Sequence, residues 1–424
     1  MSPPLQPPLP RQVTIANWTL LVVIFVLPCV IGRIDTYLVL IAALVAILSR
    51  SVPTSRRLAP ASPIGPVFVG AFLAIALALC VSAEDGYDLL FIFNFSPLLL
   101  AVPVRWQFAR MARPDAAVLI GWLCLAGTIG ATGLAVIQVF GLGYDRVGQP
   151  IMNVFHYAFT TMLLGFMTLA GFFAPGPHKR LPFLLGPLLG LIAAVLSGTR
   201  GALIGAPVLL LVAFGFLLAV SRRRGWMLIG AAALVVLLVA AAALAPQLGF
   251  GRAVEGFEVA LRAFSGGRID HAAEERLIML AGAVEAFFEA PLFGHGWLDM
   301  VPAILPHVPA DQVETMKAFR HLHNGAASFA VGTGLVGLIS FALLSIIPVV
   351  AVLMTPRDRQ FVSRLYLAVT LCAGYFVFQM TFLMLGFEFH TVQYVMMAMV
   401  FVAFVRDPVA PYSSGNAGPA ASTA

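Results

Sequence analysis

The chain has 424 residues, of which 60% are hydrophobic and only 10% charged, with a mean hydropathy of +0.96 and a formal net charge of +6. Such a composition excludes a soluble domain and describes a polytopic membrane protein. The expected fold class is an all-α polytopic membrane protein of about 12 transmembrane helices, with one long extramembrane loop that contains amphipathic helices.

The chain opens on a Pro-rich head, Ser2 to Pro10, which reads as disordered, as does the Ser/Ala/Gly tail after Pro411. Runs of about 20 apolar residues place spans at roughly 13 to 31, 34 to 49, 64 to 83, 89 to 104, 117 to 141, 153 to 175, 181 to 197, 201 to 220, 226 to 246, 325 to 354, 362 to 384 and 389 to 405. No small-residue cleavage site follows the first span, so it is read as a retained helix and not as a signal peptide. The expected organisation is a head over 1–12, nine spans over 13–246, a loop over 247–324, three spans over 325–405 and a tail over 406–424.

Lysine and arginine are retained on the cytoplasmic side, and here they alternate cleanly. Arg11, Arg50, Arg56, Arg57, Arg105, Arg110, Arg113, Lys179, Arg180, Arg222, Arg223, Arg224, Arg357, Arg359, Arg364 and Arg406 fall on one side. The short loops opposite carry Arg33, Arg146 and Arg200. Both termini are therefore expected in the cytoplasm and the long loop outside. The positive charge is a topology signal, and no nucleic-acid partner is expected. Cys29, Cys80, Cys124 and Cys372 lie far apart inside spans, which indicates neither a disulfide framework nor a thiolate metal site. The sequence has no P-loop and no dinucleotide fingerprint, which argues against cytosolic nucleotide chemistry.

The long loop is where chemistry is expected. It holds six Lys/Arg, ten Asp/Glu and five of the eight histidines. Ala253 to Phe264 reads as an amphipathic helix. A second helix capped by Asp270 runs to about Glu289, where Pro291 ends it. Leu277, Leu280, Val284 and Phe287/Phe288 line one face of that second helix, which is expected to lie on the membrane surface or on the bundle. Glu255 is three residues after Arg252, and Glu258 four before Arg262; these spacings make exposed ion pairs. Arg276 has Ala272, Ala273, Met279 and Leu280 at the corresponding positions, so its guanidinium either reaches to the interface or binds an anion.

Upstream, Ser197-Gly198-Thr199-Arg200-Gly201 is a tight external turn between two spans. Arg200 there is either an interfacial anchor or a guanidinium at a cavity mouth, with glycines that let a ligand approach the backbone. The loop closes on Arg320-His321-Leu322-His323-Asn324 as the chain returns to the membrane. A boundary histidine is either a hydrogen-bonded interfacial residue or a base, since a neutral imidazole can take a proton from a sugar hydroxyl. In an extended segment His321 and His323 point in opposite directions, so one of them faces a cavity. Asn324 could orient a substrate or the ring. The segment from Asp145-Arg146 to Asn153 with His156, and the pair Glu388/His390, are secondary site candidates.

Taken together, Ser197 to Gly201, Arg276 followed by Pro291-Leu292-Phe293-Gly294-His295-Gly296, and His323-Asn324-Gly325 running into Gly334-Leu335-Val336-Gly337 resemble the O-antigen ligase and polymerase superfamily of bacterial envelope proteins. By motif the resemblance covers about 190 to 345, and by topology the whole chain. It implies a GT-C-like glycosyltransferase of the inner membrane, active on the periplasmic face, with no cofactor. The implied donor is undecaprenyl-pyrophosphate-linked O-antigen and the implied acceptor is lipid A-core; a polymerase would instead accept a second lipid-linked repeat unit. By position, His323, Arg276 and Arg200 would be catalytic. His321, Asn324, Arg320, Ser197 and Thr199 would bind substrate.

The sequence contains no Asp-x-Asp, and the cluster Glu84/Asp85/Asp88 reads as a solvated loop face, so a metal-independent enzyme is expected. A transporter or flippase is the reading from another class. It should carry ionisable groups in mid-span, and these apolar spans are nearly free of them.

Overall fold

The computed structural model describes residues 11–32, 34–48, 62–148, 152–220 and 271–408. Among the described residues the regular elements are helical. In chain order they are α1 (Arg11–Phe25), α2 (Pro28–Ile31), α3 (Ile34–Leu48), α4 (Ile64–Ser82), a 3₁₀ stretch Asp88–Leu100 that passes into α5 (Ala101–Arg110), α6 (Ala116–Val136), α7 (Val154–Met167), α8 (Leu169–Phe173), α9 (Leu185–Leu196) and α10 (Arg200–Val220). Then follow α11 (His271–Glu289), α12 (Val313–Lys317), α13 (Gly325–Leu353), α14 (Phe361–Gln379) and α15 (Glu388–Ala403).

Seven described helices are long and apolar enough to cross a membrane: Ile64–Ser82, Asp88–Arg110, Ala116–Gly141, Val154–Phe173, Gly201–Val220, Gly325–Leu353 and Phe361–Gln379. Thr14–Phe25, Leu181–Leu196 and Glu388–Ala403 are shorter apolar helices. The span expected at 226 to 246, the helix expected at Ala253 to Phe264 and the ion pairs of Arg252 and Arg262 lie outside the described residues.

Helix α15 is the axis of the bundle. Phe389 to Ala403 are buried without interruption, against α5, α13, α14 and the 3₁₀ stretch. On the outer helices the apolar pattern is inverted. Ile339, Leu343, Ile346, Val350 and Leu353 form an exposed stripe along α13, and Leu73, Leu77 and Val81 another along α4. Contiguous exposed stripes of this kind suit lipid and not water. Inside, α7 and α9 touch through small residues: a Cβ on Gly165 would lie 2.6 Å from the Gly186 carbonyl oxygen. Two buried tyrosine hydroxyls find backbone acceptors: Tyr366 Oη donates to the Phe166 carbonyl (2.8 Å) and Tyr375 Oη to that of His390 (2.9 Å).

Cations mark one end of the bundle. Arg364, counted above among the cations of one side, is fully buried there. It donates to Asp358 (3.0 Å) and to the carbonyls of Val405 and Pro356 (2.7 Å each), tying the start of α14 to the end of α15. Arg105 and Arg406 lie close by.

At the other end, α11 stops at Glu289 and the chain turns through Pro291 to Gly296. That turn docks on a break in α13, where Gly334 has φ 64° and ψ −157°. The break frees backbone groups, and the turn satisfies them. The N–H groups of His295 and Gly296 donate to Val331 and Gly332 (2.8 and 3.1 Å), and those of Leu335 and Val336 donate to Pro291 and Leu292 (2.8 and 3.3 Å). A Cβ on Gly334 would lie 2.4 Å from the Leu292 carbonyl, and one on Gly294 2.5 Å from Val331 and Thr333 backbone. Helix α11 itself packs through Met279, Ala283 and Ala286, against the 3₁₀ turn Pro302–His307 and against α13. Its predicted apolar face, Leu277, Leu280, Val284 and Phe288, points outward.

The docking predicts that Gly334→Ala lowers the stability of the detergent-purified protein by at least about 2 kcal/mol, from left-handed strain and backbone overlap combined. Gly70, where an added Cβ would have nothing within 4 Å, should tolerate alanine within about 1 kcal/mol. Paired thermal melts of the two variants check this.

Candidate active site

The site forms where the chain leaves the long loop and starts α13. Asn324 is the N-cap, its Oδ1 accepting the Ala327 N–H at 3.0 Å. The residue before it, His323, has φ 50° and is the one non-glycine residue with positive φ among the described residues. Its backbone N–H donates to Nδ1 of His321 at 3.2 Å, and the two imidazoles stand 4.3 Å apart by ring centroid. They are therefore not splayed to opposite sides, as an extended segment would have them; the left-handed turn at His323 brings both rings to one wall.

Phe382, in the loop after α14, is the hub of this wall. Its ring centroid lies 4.8 Å from His321, 5.7 Å from His323 and 5.3 Å from His156 at the start of α7. His390 on α15 is 4.4 Å from His156, and Phe387 lies 5.6 Å from His321 and 5.5 Å from His156. Four of the eight histidines thus meet at one place. Two of them, His156 and His390, were only secondary candidates in the sequence. Phe382 and Phe387 were not anticipated at all, because an aromatic side chain in an apolar run carries no mark of what it faces.

The electrostatics keep the two loop imidazoles neutral. Burial, and then the neighbouring His323 and His156, push His321 down to about 3. Burial, and then the Arg276 guanidinium, push His323 down to about 4. Arg276, half-buried on α11, is therefore close enough to His323 for its charge to be felt there. Nδ1 of His323 is buried and has no hydrogen-bond partner among the described residues. The arrangement is a neutral imidazole, with a ring nitrogen that makes no hydrogen bond among the described residues, near a cation.

The remaining predicted residues divide. Arg200 is the first residue of α10. Its neighbour Gly201 packs on Thr381, whose Oγ1 would lie 3.1 Å from an added Cβ, and on Phe155, which stacks on Phe382 at 5.0 Å. The turn thus abuts the same wall. Ser197 and Thr199 are buried and their hydroxyls serve the fold: Ser197 Oγ donates to the Ala194 carbonyl (2.6 Å) and accepts the Thr199 N–H (3.2 Å), while Thr199 Oγ1 donates to the Val154 carbonyl (3.4 Å). Arg320 is exposed at the rim. Asn153 caps α7, accepting the Phe155 N–H at 2.8 Å. The carboxylates of Asp85 and Asp88 accept backbone N–H groups of their own turn, as where Asp88 takes that of Glu84 at 2.8 Å. Among the described residues no three His, Cys, Asp or Glu side chains are grouped to hold a metal ion.

Fold and site together define an all-helical membrane protein with a histidine- and arginine-lined site at the end opposite its cationic end. Residues 185–342 match the model of the family Wzy_C, described as O-antigen ligase. The match bears out the resemblance to the O-antigen ligase and polymerase superfamily, and its span contains Arg200, Arg276, His323 and the docked Gly334 break. An uncharacterized protein of Haemophilus influenzae is 24% identical over 267 residues, which cover 60% of this chain and 63% of that protein, less than two thirds of its length.

Proposed function

We propose that the protein is an O-antigen ligase: a metal-independent glycosyltransferase that moves the glycan from undecaprenyl pyrophosphate to a sugar hydroxyl of lipid A-core on the periplasmic face of the inner membrane. The observation that carries this reading is the neutral, buried His323 with an available Nδ1, facing Arg276. In the reaction, His323 takes the proton of the acceptor hydroxyl as its oxygen attacks the anomeric carbon. The bond from that carbon to the diphosphate oxygen breaks, and undecaprenyl pyrophosphate leaves with the electron pair. Charge accumulates on the departing diphosphate, and the Arg276 and Arg200 guanidiniums are the groups that stabilise it. One displacement inverts the anomeric centre. Arg320 at the rim and the amide nitrogen of Asn324 are proposed to contact substrate; the fold already engages the hydroxyls of Ser197 and Thr199.

A gene deletion tests the reading. Core lacking all O-antigen, with polymerised glycan retained on the lipid carrier, is expected; core carrying a single repeat unit would instead identify a polymerase. Arg200→Ala, Arg276→Ala and His323→Ala should each lower transfer by about 10²-fold or more at unchanged protein level.

Because guanidiniums meet the leaving-group charge, EDTA should leave the transfer rate of the purified protein unchanged. Restoration of an EDTA-inhibited rate by a divalent cation would overturn the metal-independent mechanism.

The pH profile has a definite sign. Catalysis needs the neutral imidazole, and both burial and Arg276 disfavour its protonation, so the acid limb of kcat/KM should fall near pH 4, below the ordinary histidine value of about 6.5. In Arg276→Gln the residual activity should show a limb shifted upward, since a positive neighbour has been removed. A limb at 6.5 in the unaltered protein would remove His323 as the base.

A further inference from the structure

We infer that His321 is a positioning residue which acts on His323 through its Nδ1 and not through its own acid–base chemistry; this rests on His323 being the base. Every other positive φ among the described residues is at glycine, where no Cβ opposes it. At residue 323 an imidazole stands in that conformation, so something must hold it there. The Asn324 cap fixes the chain on one side, through the Ala327 N–H. On the other side the contact is the His323 N–H donated to His321 Nδ1 at 3.2 Å.

That bond assigns the nitrogens of His321. Nδ1 is the acceptor, so in the neutral ring the proton sits on Nε2. A ring whose lone pair is committed to a backbone N–H has none left for a substrate proton, whereas Nδ1 of His323 carries no such bond. The surroundings of His321 fit a fixed strut. It is 9% exposed, wedged edge-on against Phe382 and Phe387, and the titratable groups that face it are His323 and His156. The cation Arg276 faces His323. With His321 in place, the left-handed turn keeps the His323 ring on the wall shared with Phe382 and Phe319 (5.7 and 5.2 Å).

The two ring nitrogens can be separated by amide substitutions, because an Asn amide reaches the place of Nδ1 and a Gln amide that of Nε2. The test uses the full-length purified protein with undecaprenyl-pyrophosphate-linked glycan and lipid A-core. His321→Asn should keep kcat within about 3-fold. His321→Gln and His321→Leu should lose about 10- to 100-fold in kcat at unchanged donor KM, the cost of a displaced reacting group. The acid limb of His321→Asn should coincide with that of the unaltered protein, since no titrating group essential to the reaction has been removed. A His321→Gln variant more active than His321→Asn, or a fully active His321→Leu, would overturn the inference. Should the Leu variant fail to accumulate, the Asn and Gln pair decides the matter alone. Absence of transfer by the unaltered protein would count against the proposed function; an active parent with an inactive His321→Asn counts against the positioning role only.

Discussion

The structure depends on one backbone contact, the seat of the Pro291–Gly296 turn on the break in α13. A helix interrupted inside an apolar bundle leaves amides and carbonyls that its apolar neighbours cannot satisfy, and each orphan costs several kcal/mol in such surroundings. Here the break at Gly334 is matched by a turn that offers two donors and two acceptors in register. The contact also settles the geometry of the site: the turn begins two residues after α11 ends, and the broken helix begins two residues after His323. Arg276 and His323, forty-seven positions apart in sequence, are thereby held in one frame by the same four hydrogen bonds.

Within that frame, burial and charge act in the same direction. Packing the imidazoles against Phe382 and Phe387 removes the water that would solvate an imidazolium, and Arg276 opposes a second positive charge nearby. The resting site therefore holds neutral bases. In the proposed reaction the donor brings a diphosphate, whose negative charge offsets that of Arg276. The proton taken by His323 then becomes easier to hold as negative charge builds on the leaving group. Stabilisation that grows along the reaction coordinate is the kind that accelerates a chemical step.

Hydropathy made much of the bundle legible. The expected limits of α4, α6, α10, α13 and α14 lie within a few residues of those observed, because a run of apolar residues bounded by Pro, Gly or charge has few other fates. The medium that each apolar face meets was not legible. Periodicity put Leu277, Leu280 and Val284 on one stripe of α11, yet Met279, Ala283 and Ala286 face the protein; where lipid and core are both apolar, the pattern cannot tell them apart. Charge counting had a limit of another kind: it assigned Arg364 to a side and could not tell that the guanidinium is buried on Asp358. Polar motif residues were ambiguous in the same way. Ser197, Thr199 and Asn324 have the side chains of ligand binders, and their oxygens turn out to hold a turn and cap a helix. His156 and His390 needed the tertiary fold, since nothing local links residues so distant in sequence.

The short motifs thus separate into two kinds by what the backbone demands. Gly198, Gly294 and Gly334 stand at positive φ, and at Gly294 and Gly334 a Cβ would also meet backbone, so conformation and space account for them without any chemistry. His323 stands at positive φ as well, a conformation that histidine shares with asparagine more readily than most side chains do but that still costs more than it does at glycine. In the proposed mechanism the imidazole at that position is accounted for by what the ring does. In the proposed site the two histidines of the loop divide in the same way: His321 holds a backbone through its Nδ1, and His323 is the residue for which that backbone is held.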